Sequence, residues 1–279
     1  GDLIYDGFLR KYDLPTIEVN SKIFENYLKD FIDLYYFWND FFNKNRISSV
    51  IVSHTVYEFG IVLRLAISRK IKAYSAGSFF IFSHDEKNQS IFDMPYFAQE
   101  FKKLDSQTRL NSINEGKKFI DRKFSGEKTI ENKVTALPAE SPLITKNFKK
   151  RVLDLNKKKK ILIAAHHFSD APNAFGRNIF NDFYDWIDFL GQKTINSQND
   201  WYIKFHPLEF DSNKNTIDFF LKKYPKLKLI DKNITHSQLI TEGINLILTI
   251  YGTIGLEYAY FQVPVINAGQ TNPHCSYDF

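Results

Sequence analysis

The sequence predicts an α/β protein in which parallel sheets are flanked by helices, and three observations lead to this prediction. Short apolar runs rich in β-branched residues alternate with amphipathic helical stretches along much of the chain. The 279 residues, 43% of them hydrophobic, are enough for two domains of ordinary size with buried cores. No apolar run reaches the roughly 18 residues that a membrane-spanning helix needs, so we expect none.

The first part of the chain is predicted to form a strand, a helix and a second strand, with a longer helix before them. Before them, apolar residues recur every three or four positions from Ser21 to Asn43, which predicts an amphipathic helix capped by Asn20 or Ser21. The strand, helix and strand that follow form a unit in which the two strands are expected to pair in parallel through a right-handed crossover. The unit comprises a strand at Ile47–Ser53, a helix at Val56–Arg69 and a strand at Ile71–Tyr74.

In the second half of the chain, five strands alternate with four helices. This alternation is typical of a doubly wound parallel sheet, whose ligands bind at the carboxyl ends of the strands. The predicted strands are Ile161–Ala165, Trp201–Phe205, Leu227–Ile230, Asn245–Ile250 and Val263–Asn267, and the predicted helices are Asn178–Leu190, Thr216–Tyr224, Ser237–Glu242 and Ile254–Phe261.

We expect a domain boundary at the linker-like segment Leu137–Pro142, which a Lys-rich stretch follows. The predicted domains are residues 1–142 and 143–279, each a Rossmann-like parallel sheet flanked by helices. Residues 83–155 show few clear strands. Since the chain lacks an initiator Met and stops shortly after a strand signal, we expect a piece truncated at both ends, without the closing helix of the second domain.

The formal charge of +5 is modest for this length, which argues against a role in binding nucleic acid. It suits a phosphate-bearing ligand or an anionic membrane surface, and the Lys-rich stretch is interpreted as a solvated face or a peripheral membrane contact. Cys275 is the single cysteine, so no internal disulfide can form, and a cytoplasmic location is expected.

Three loops that follow predicted strands carry the candidate site residues, and we expect them to meet at one edge of the sheet. Gly252 lets the backbone turn or approach a ligand, and Thr253 offers a hydroxyl and an N-cap to a helix whose start attracts phosphate. Glu257 follows one helical turn later, where its carboxylate can accept hydrogen bonds from a ribose diol. The alternative is an ordinary capped helix with a surface Glu.

The other two loops contribute histidines. His206, with Lys204 two residues before it on the same strand face, is predicted to contact a phosphate. His167, Ser169 and Asp170 are predicted to form a sugar- or phosphate-facing loop. Metal binding by this loop is disfavoured, because adjacent histidines on an extended segment point in opposite directions and no further ligand cluster is present. We therefore expect neither a metal nor a cofactor.

These residues carry a family resemblance. The segments Lys204–Pro207, Tyr251–Glu257 and Val263–Gly269 together resemble the donor half of bacterial capsule and surface-polysaccharide glycosyltransferases of the GT-B fold. The Kdo transferases of capsule synthesis and the bacterial sialyltransferases with a His-Pro motif are the nearest groups. Less specifically, Gly1–Asp6 and Ser53–Tyr57 are similar to parts of the N-terminal half of such proteins.

The resemblance implies a nucleotide-sugar donor bound between two Rossmann-like domains, with His206 and the Gly252–Thr253 helix start at its phosphate and Glu257 near its ribose. It further implies metal-independent transfer to a growing glycan or lipid-linked glycan, on the inner face of the membrane. A base from the N-terminal domain would deprotonate the acceptor, and Asp6 and His54 are the candidates, each near a predicted strand end. The sialyltransferases have a Ser-Ser pair where this chain has Gly252–Thr253, and their acidic base motif is not found here.

Two alternatives stay open on the same residues. One is another enzyme of this architecture, such as a UDP-sugar 2-epimerase or a polyol-phosphate transferase that resembles teichoic-acid synthases. The other is a non-catalytic carbohydrate-binding module, which would lack affinity for nucleotides. Fold alone does not separate these readings.

Overall fold

A computed structural model describes residues 1–77, 81–90, 97–125, 150–174, 178–206 and 213–269. These residues form two compact units. Unit one comprises the described residues within Gly1–Pro95 and His167–Trp186, together with Gly269, and unit two comprises those within Tyr96–His166 and Ile187–Ala268. The predicted boundary at residue 142 and its linker lie outside the described residues.

Unit one contains a three-stranded sheet in the order β1-β2-β3. β1 and β2 pair in parallel, with Ser49 opposite Lys72, so the predicted strand, helix and strand with parallel pairing are confirmed. β3 was not predicted, and it pairs with β2 in the antiparallel direction. The elements are α1 (Asp2–Tyr12), α2 (Lys22–Lys44), β1 (Ser49–Val52), α3 (Phe59–Ser68), β2 (Lys72–Ala76) and β3 (Ile81–His84).

Helices α1 and α2 pack into the core of unit one. The Ser21 hydroxyl accepts a hydrogen bond from the Phe24 N–H at 3.3 Å, which confirms Ser21 as the N-cap of α2. Gly7 lets α1 approach α2 closely, because a Cβ at this position would overlap the Tyr27 hydroxyl. The buried residues of this core are Leu3, Phe8, Leu9, Tyr27, Phe31, Phe42, Ile61, Leu63, Leu65, Ala66, Ile67 and Ala73.

Unit two is built on a five-stranded sheet in which every pair of neighbouring strands is parallel. The predicted alternation of strands and helices is confirmed, and α6 runs from residues of unit one into residues of unit two. The elements are α4 (Phe97–Lys103), α5 (Ser106–Ser125), β4 (Lys160–Ala164), α6 (Phe183–Ile195), β5 (Asp200–Lys204), α7 (Lys214–Lys223), β6 (Leu227–Leu229), α8 (His236–Glu242), β7 (Leu246–Thr249), α9 (Ile254–Tyr260) and β8 (Val265–Asn267).

The strand order of this sheet, β6-β5-β4-β7-β8, determines where a ligand is expected. From β4 the chain proceeds outward through β5 to β6 and then returns to the other side of β4 with β7. The carboxyl ends of β4 and β7 therefore flank the point where the strand order reverses, which is the usual ligand position in open parallel sheets. All residues of β4 and β5 are buried, which explains their nearly continuous apolar sequences.

None of the helices within the described residues is both long enough and apolar enough to cross a membrane.

Candidate functional site

The loops after β4 and β7 meet in unit two in a group that we call the switch-point cluster: His166, Thr249, Tyr251 and Gly252. His166 Nε2 lies 3.3 Å from the Thr249 hydroxyl and accepts a long hydrogen bond from the Tyr251 N–H at 3.5 Å. The His166 and Tyr251 rings are 4.5 Å apart between centroids. The expectation that loops after separate strands converge at one edge is thus confirmed for these two loops.

Gly252 fits closely between two of these side chains. A Cβ at this position would lie 3.0 Å from Thr249 Oγ1 and 3.3 Å from His166 Cε1, closer than ordinary packing allows. The Gly252 N–H donates to the same Thr249 hydroxyl at 3.3 Å. A side chain larger than hydrogen at position 252 would therefore press on both Thr249 and His166.

The helix after the turn differs partly from the prediction. Thr253 is the N-cap residue of α9, as predicted, but its hydroxyl makes no capping hydrogen bond. Thr253 is exposed, whereas Glu257, four residues later, is only 5% exposed. The two side chains therefore do not share a solvent-exposed face, although they are one helical turn apart.

Lys204 is buried at the end of β5. Its Nζ donates to the backbone carbonyl oxygens of Lys232 at 2.9 Å and Asp231 at 3.4 Å. Burial lowers the pKa of Lys204 to about 8. Lys204 thus joins β5 to the segment that follows β6. His206 is half-buried two residues after this strand, and Pro207 of the His-Pro pair lies outside the described residues.

A second polar group lies wholly within unit one. We call it the carboxylate cluster: Asp6, Asp13, Tyr57, His167, Ser169, Asp170 and Asn173. The cluster contains four residues that the sequence analysis assigned to two different sites. Asp6 was a candidate base, and His167, Ser169 and Asp170 were a candidate ligand loop. The loop predicted as one piece after β4 is divided, because His166 belongs to unit two and His167 onward to unit one.

Asp6 is 2% exposed and is held by Asn173. Its Oδ1 accepts hydrogen bonds from Asn173 Nδ2 at 2.7 Å and from the Asn173 N–H at 3.3 Å. Burial raises the pKa of Asp6 to about 7, the Asn173 bonds oppose this rise, and the nearby carboxylates of Asp2 and Asp170 add to it. The expectation that Asp6 lies near a strand end is wrong, because it lies within α1.

Ser169 lies between His167 and Asp13, the C-cap residue of α1. The Ser169 hydroxyl donates to Asp13 Oδ1 at 2.9 Å and lies 3.0 Å from His167 Nδ1. Ser169 is almost fully buried and His167 is half-buried. Burial lowers the pKa of His167, against the opposing effect of Asp13 and Asp170, so the ring is neutral at pH 7.

The backbone of the carboxylate cluster contains unusual conformations. The Tyr57 hydroxyl donates to Asp170 Oδ1 at 3.3 Å, and Tyr57 has φ 56°. Of the five non-glycine residues with positive φ in the described part of the chain, three lie in or beside this cluster: Asp13, Tyr57 and Ala171. A bulky residue with positive φ is rare, and such strained residues concentrate at functional sites.

His54 lies near a strand end, as predicted, two residues after β1. It is exposed, and its ring centroid lies 6.1 Å from that of Phe59. No hydrogen bond to another described residue connects it to the carboxylate cluster. The two candidate bases are therefore in different surroundings, with Asp6 inside the cluster.

The sequence did not identify Asp13, Tyr57 and Asn173 in unit one, or His166 and Thr249 in unit two, as site residues. For Asp13, Tyr57 and Asn173 the local sequence offers no comparable signal. For His166 and Thr249, the signal was their position at the ends of the strands that flank the reversal of strand order.

Among the described residues, no group of three or more His, Cys, Asp or Glu side chains is arranged to hold a metal ion. Comparison with models of known protein families and with curated proteins gives no match to this chain.

Proposed function

We propose that the chain is a glycosyltransferase of GT-B type, made of two Rossmann-like domains. In this proposal, unit two binds the nucleotide of a nucleotide-activated sugar, and unit one supplies the base that deprotonates the acceptor hydroxyl. The acceptor is a capsular or surface glycan, free or lipid-linked, which would bring the protein to the inner face of the cell membrane.

The observation that carries the proposal is the switch-point cluster of unit two. Its sheet has the strand order of the first five strands of dinucleotide-binding folds, and the cluster lies where those folds bind their ligands. Gly252 packs directly against two side chains of the cluster, so a larger residue at this position would disturb the site. The Tyr251 and His166 rings lie beside that glycine, with their centroids 4.5 Å apart and their planes tilted by 51°.

The proposal assigns the residues predicted from the sequence to functions around this cluster. In this proposal His206 and the Gly252–Thr253 backbone contact the donor phosphate, and Glu257, which is buried on α9, takes no direct part. Lys204, whose ammonium is held by two carbonyl oxygens, supports the loop after β6 and contributes positive charge near the phosphate. The carboxylate cluster supports the other half of the proposal, because it supplies buried acid and base groups from Asp6 and His167.

The test is a calorimetric titration with CMP, CDP, UDP and GDP, on the wild type and on Gly252→Ala and His206→Ala. We expect selective binding of one nucleotide, weakened about tenfold or more by each substitution, a change of about 1.4 kcal/mol in binding free energy. Gly116→Ala is the matched control, because a Cβ there meets nothing within 4 Å. Absence of nucleotide binding by the folded wild type would overturn the proposal in favour of a carbohydrate-binding module.

A further inference from the structure

Unit one contains a cavity at the opposite edge of its sheet from the loop that carries Tyr57. Its volume is about 530 Å³, within the range of small-molecule sites. The cavity lies where β2 begins and β3 ends, whereas the loop of Tyr57 follows the carboxyl end of β1, which is parallel to β2. The lining residues are Ile67, Lys70, Ile71, Lys72, Ala73, Ser83, His84, Asp85, Glu86 and Lys87.

Three buried residues, Ile67, Ala73 and His84, give the cavity a fixed lining. The His84 ring is held from both sides. Its Nδ1 donates to the Asn88 carbonyl oxygen at 3.0 Å, because a carbonyl oxygen can only accept, and its Nε2 lies 2.7 Å from Ser75 Oγ. Since both ring nitrogens have partners, His84 shapes the cavity and is not one of its ligand-binding groups.

Three exposed lysines, Lys70, Lys72 and Lys87, also line the cavity. None of their ammonium groups forms a hydrogen bond or ion pair with another described residue. By contrast, every lysine of α2 forms an ion pair with a carboxylate of the same helix. Positive charges that share a cavity without a counterion attract anions, so these lysines indicate an anionic ligand.

Two acidic residues of the lining, Asp85 and Glu86, do not neutralise these lysines. Neither carboxylate forms an ion pair with a lysine of the cavity, and the three lysines outnumber the two acids. Asp85 Oδ1 instead accepts hydrogen bonds from the N–H groups of Lys87 at 2.8 Å and Asn88 at 3.0 Å. Asp85 thereby fixes the backbone of the turn that carries Lys87.

Lys70 occupies a backbone position that favours glycine. It has φ 58° directly after α3, where its N–H donates to the Ile67 carbonyl oxygen and the Ile71 N–H donates to that of Ala66, both at 2.9 Å. In helix ends of this kind the left-handed residue is usually glycine. These bonds leave the Lys70 ammonium no part in ending the helix. The stability of the turn therefore does not account for a lysine at this position.

We propose that this cavity binds a phosphate group through Lys70, Lys72 and Lys87, either in a free phosphate ester or in the headgroup of an anionic lipid. A lysine ammonium is a compact charge with three donors that suits phosphate oxygens, whereas carboxylates are matched best by the planar fork of arginine. The lining contains lysines and no arginine. This site lies within unit one and does not depend on the proposed function.

The test is a titration of the nitrogen-15-labelled protein with inorganic phosphate, followed by NMR of the backbone amides, with acetate as the carboxylate comparison. We expect phosphate to shift the amides of residues 70–73 and 83–87, and acetate to have little effect. Lys70→Gly and Lys87→Ala should each weaken phosphate binding about tenfold. Lys222→Ala is the matched control, because Lys222 is an exposed lysine of α7 whose ammonium likewise has no described partner.

Lys70→Gly separates a loss of binding from a loss of folding. Glycine adopts a φ of 58° without strain, so the thermal unfolding temperature of this variant should stay the same or rise. Sedimentation with vesicles of phosphatidylglycerol, but not of phosphatidylcholine, that is lost in Lys87→Ala would identify a lipid headgroup as the ligand. Binding of inorganic phosphate without sedimentation would identify a free phosphate ester.

Three results would overturn the inference. The first is that phosphate leaves the amides of residues 70–73 and 83–87 unchanged, and the second is that acetate binds as tightly as phosphate. The third is phosphate binding that Gly252→Ala abolishes and both lysine variants retain, which would assign the phosphate to unit two.

Discussion

The switch-point cluster of unit two and the carboxylate cluster of unit one differ in how their residues are brought together. His166 and Thr249 lie at the carboxyl ends of two adjacent parallel strands, so the strand order alone brings them to one edge of the sheet. The bonded pairs that connect α1 and the loop after β1 to the 167–173 segment join residues separated by 113 to 167 positions in the sequence.

The two clusters also differ in their chemistry. The hydrogen-bonding groups of the switch-point cluster are a hydroxyl, an imidazole ring and backbone N–H groups, whereas the carboxylate cluster buries an acid whose pKa is raised to about 7. The proposed function assigns different roles to the two units: unit two would provide shape and hydrogen-bond donors for a nucleotide, and unit one would provide groups that exchange protons. The expected outcomes below follow from this division.

The largest expected effect is the pH dependence of stability that Asp6 gives to unit one. Its pKa rises from 3.8 to about 7 on folding, so the folded state binds more protons than the unfolded state between these values. The free energy of unfolding should therefore fall as the pH rises from about 4 to about 7, by up to about 1.4 kcal/mol per pH unit. Urea unfolding of the wild type against Asp6→Asn measures this slope.

In Asp6→Asn this part of the slope should disappear, whereas Asp33→Asn on the exposed side of α2 should retain it. Identical slopes for the wild type and Asp6→Asn would mean that Asp6 ionises at its ordinary pKa, and the distinction between the two clusters would lose its electrostatic basis.

The next effect concerns the partner of Asp6. Asn173→Ala removes the hydrogen bond that Asn173 Nδ2 donates to a buried carboxyl, keeps the bond from the backbone N–H, and should lower the free energy of unfolding by about 1–3 kcal/mol. Because the side-chain bond lowers the pKa of Asp6, its removal should raise that pKa further, and the destabilisation should grow toward pH 7. Asn20→Ala, at an exposed position, is the control. A loss that does not change with pH would contradict this explanation.

The smallest effect belongs to unit two. Thr249→Val keeps the shape of a fully buried side chain but removes the hydroxyl that bonds to Gly252 and His166, which should cost about 1 kcal/mol in stability. Thr253→Val should change stability by less than about 0.5 kcal/mol, since the Thr253 hydroxyl makes no capping bond. Equal effects in thermal unfolding would show that the Thr249 hydroxyl does not organise the switch-point cluster.

The same comparison explains what the sequence could predict. Buried parallel strands such as β4 and β5 produce apolar runs that are recognisable without their neighbours, so the order of the elements from β4 to β8 was predictable, whereas α4 and α5 of the same unit were not predicted. The helix α1 was not predicted, although it contains Asp6 and ends at the C-cap residue Asp13. Tertiary packing determines the partners of Asp6 and Asp13. No periodic pattern in the local sequence therefore predicts that they contact Asn173 and Ser169.

Local rules also failed at particular positions of the site. Thr253 has the residue type and place of an N-cap, yet its hydroxyl makes no such bond. Glu257 was expected on an accessible face and is buried. Lys204 was expected to face a phosphate, and in the structure its ammonium bonds to the backbone oxygens of Asp231 and Lys232. In each case the exposure of the side chain and its hydrogen-bond partner depend on tertiary packing, which cannot be predicted from the neighbouring residues in the sequence.

The division of roles can be tested most directly by hydrogen–deuterium exchange, measured by mass spectrometry with and without the tightest-binding nucleotide of the panel. Exchange reports which backbone amides a ligand protects. We predict slower exchange in peptides covering residues 160–166 and 246–256 of unit two, with little change in peptides covering residues 1–13 and 168–174 of unit one. Protection confined to the unit one peptides would contradict the assignment of the donor site to unit two.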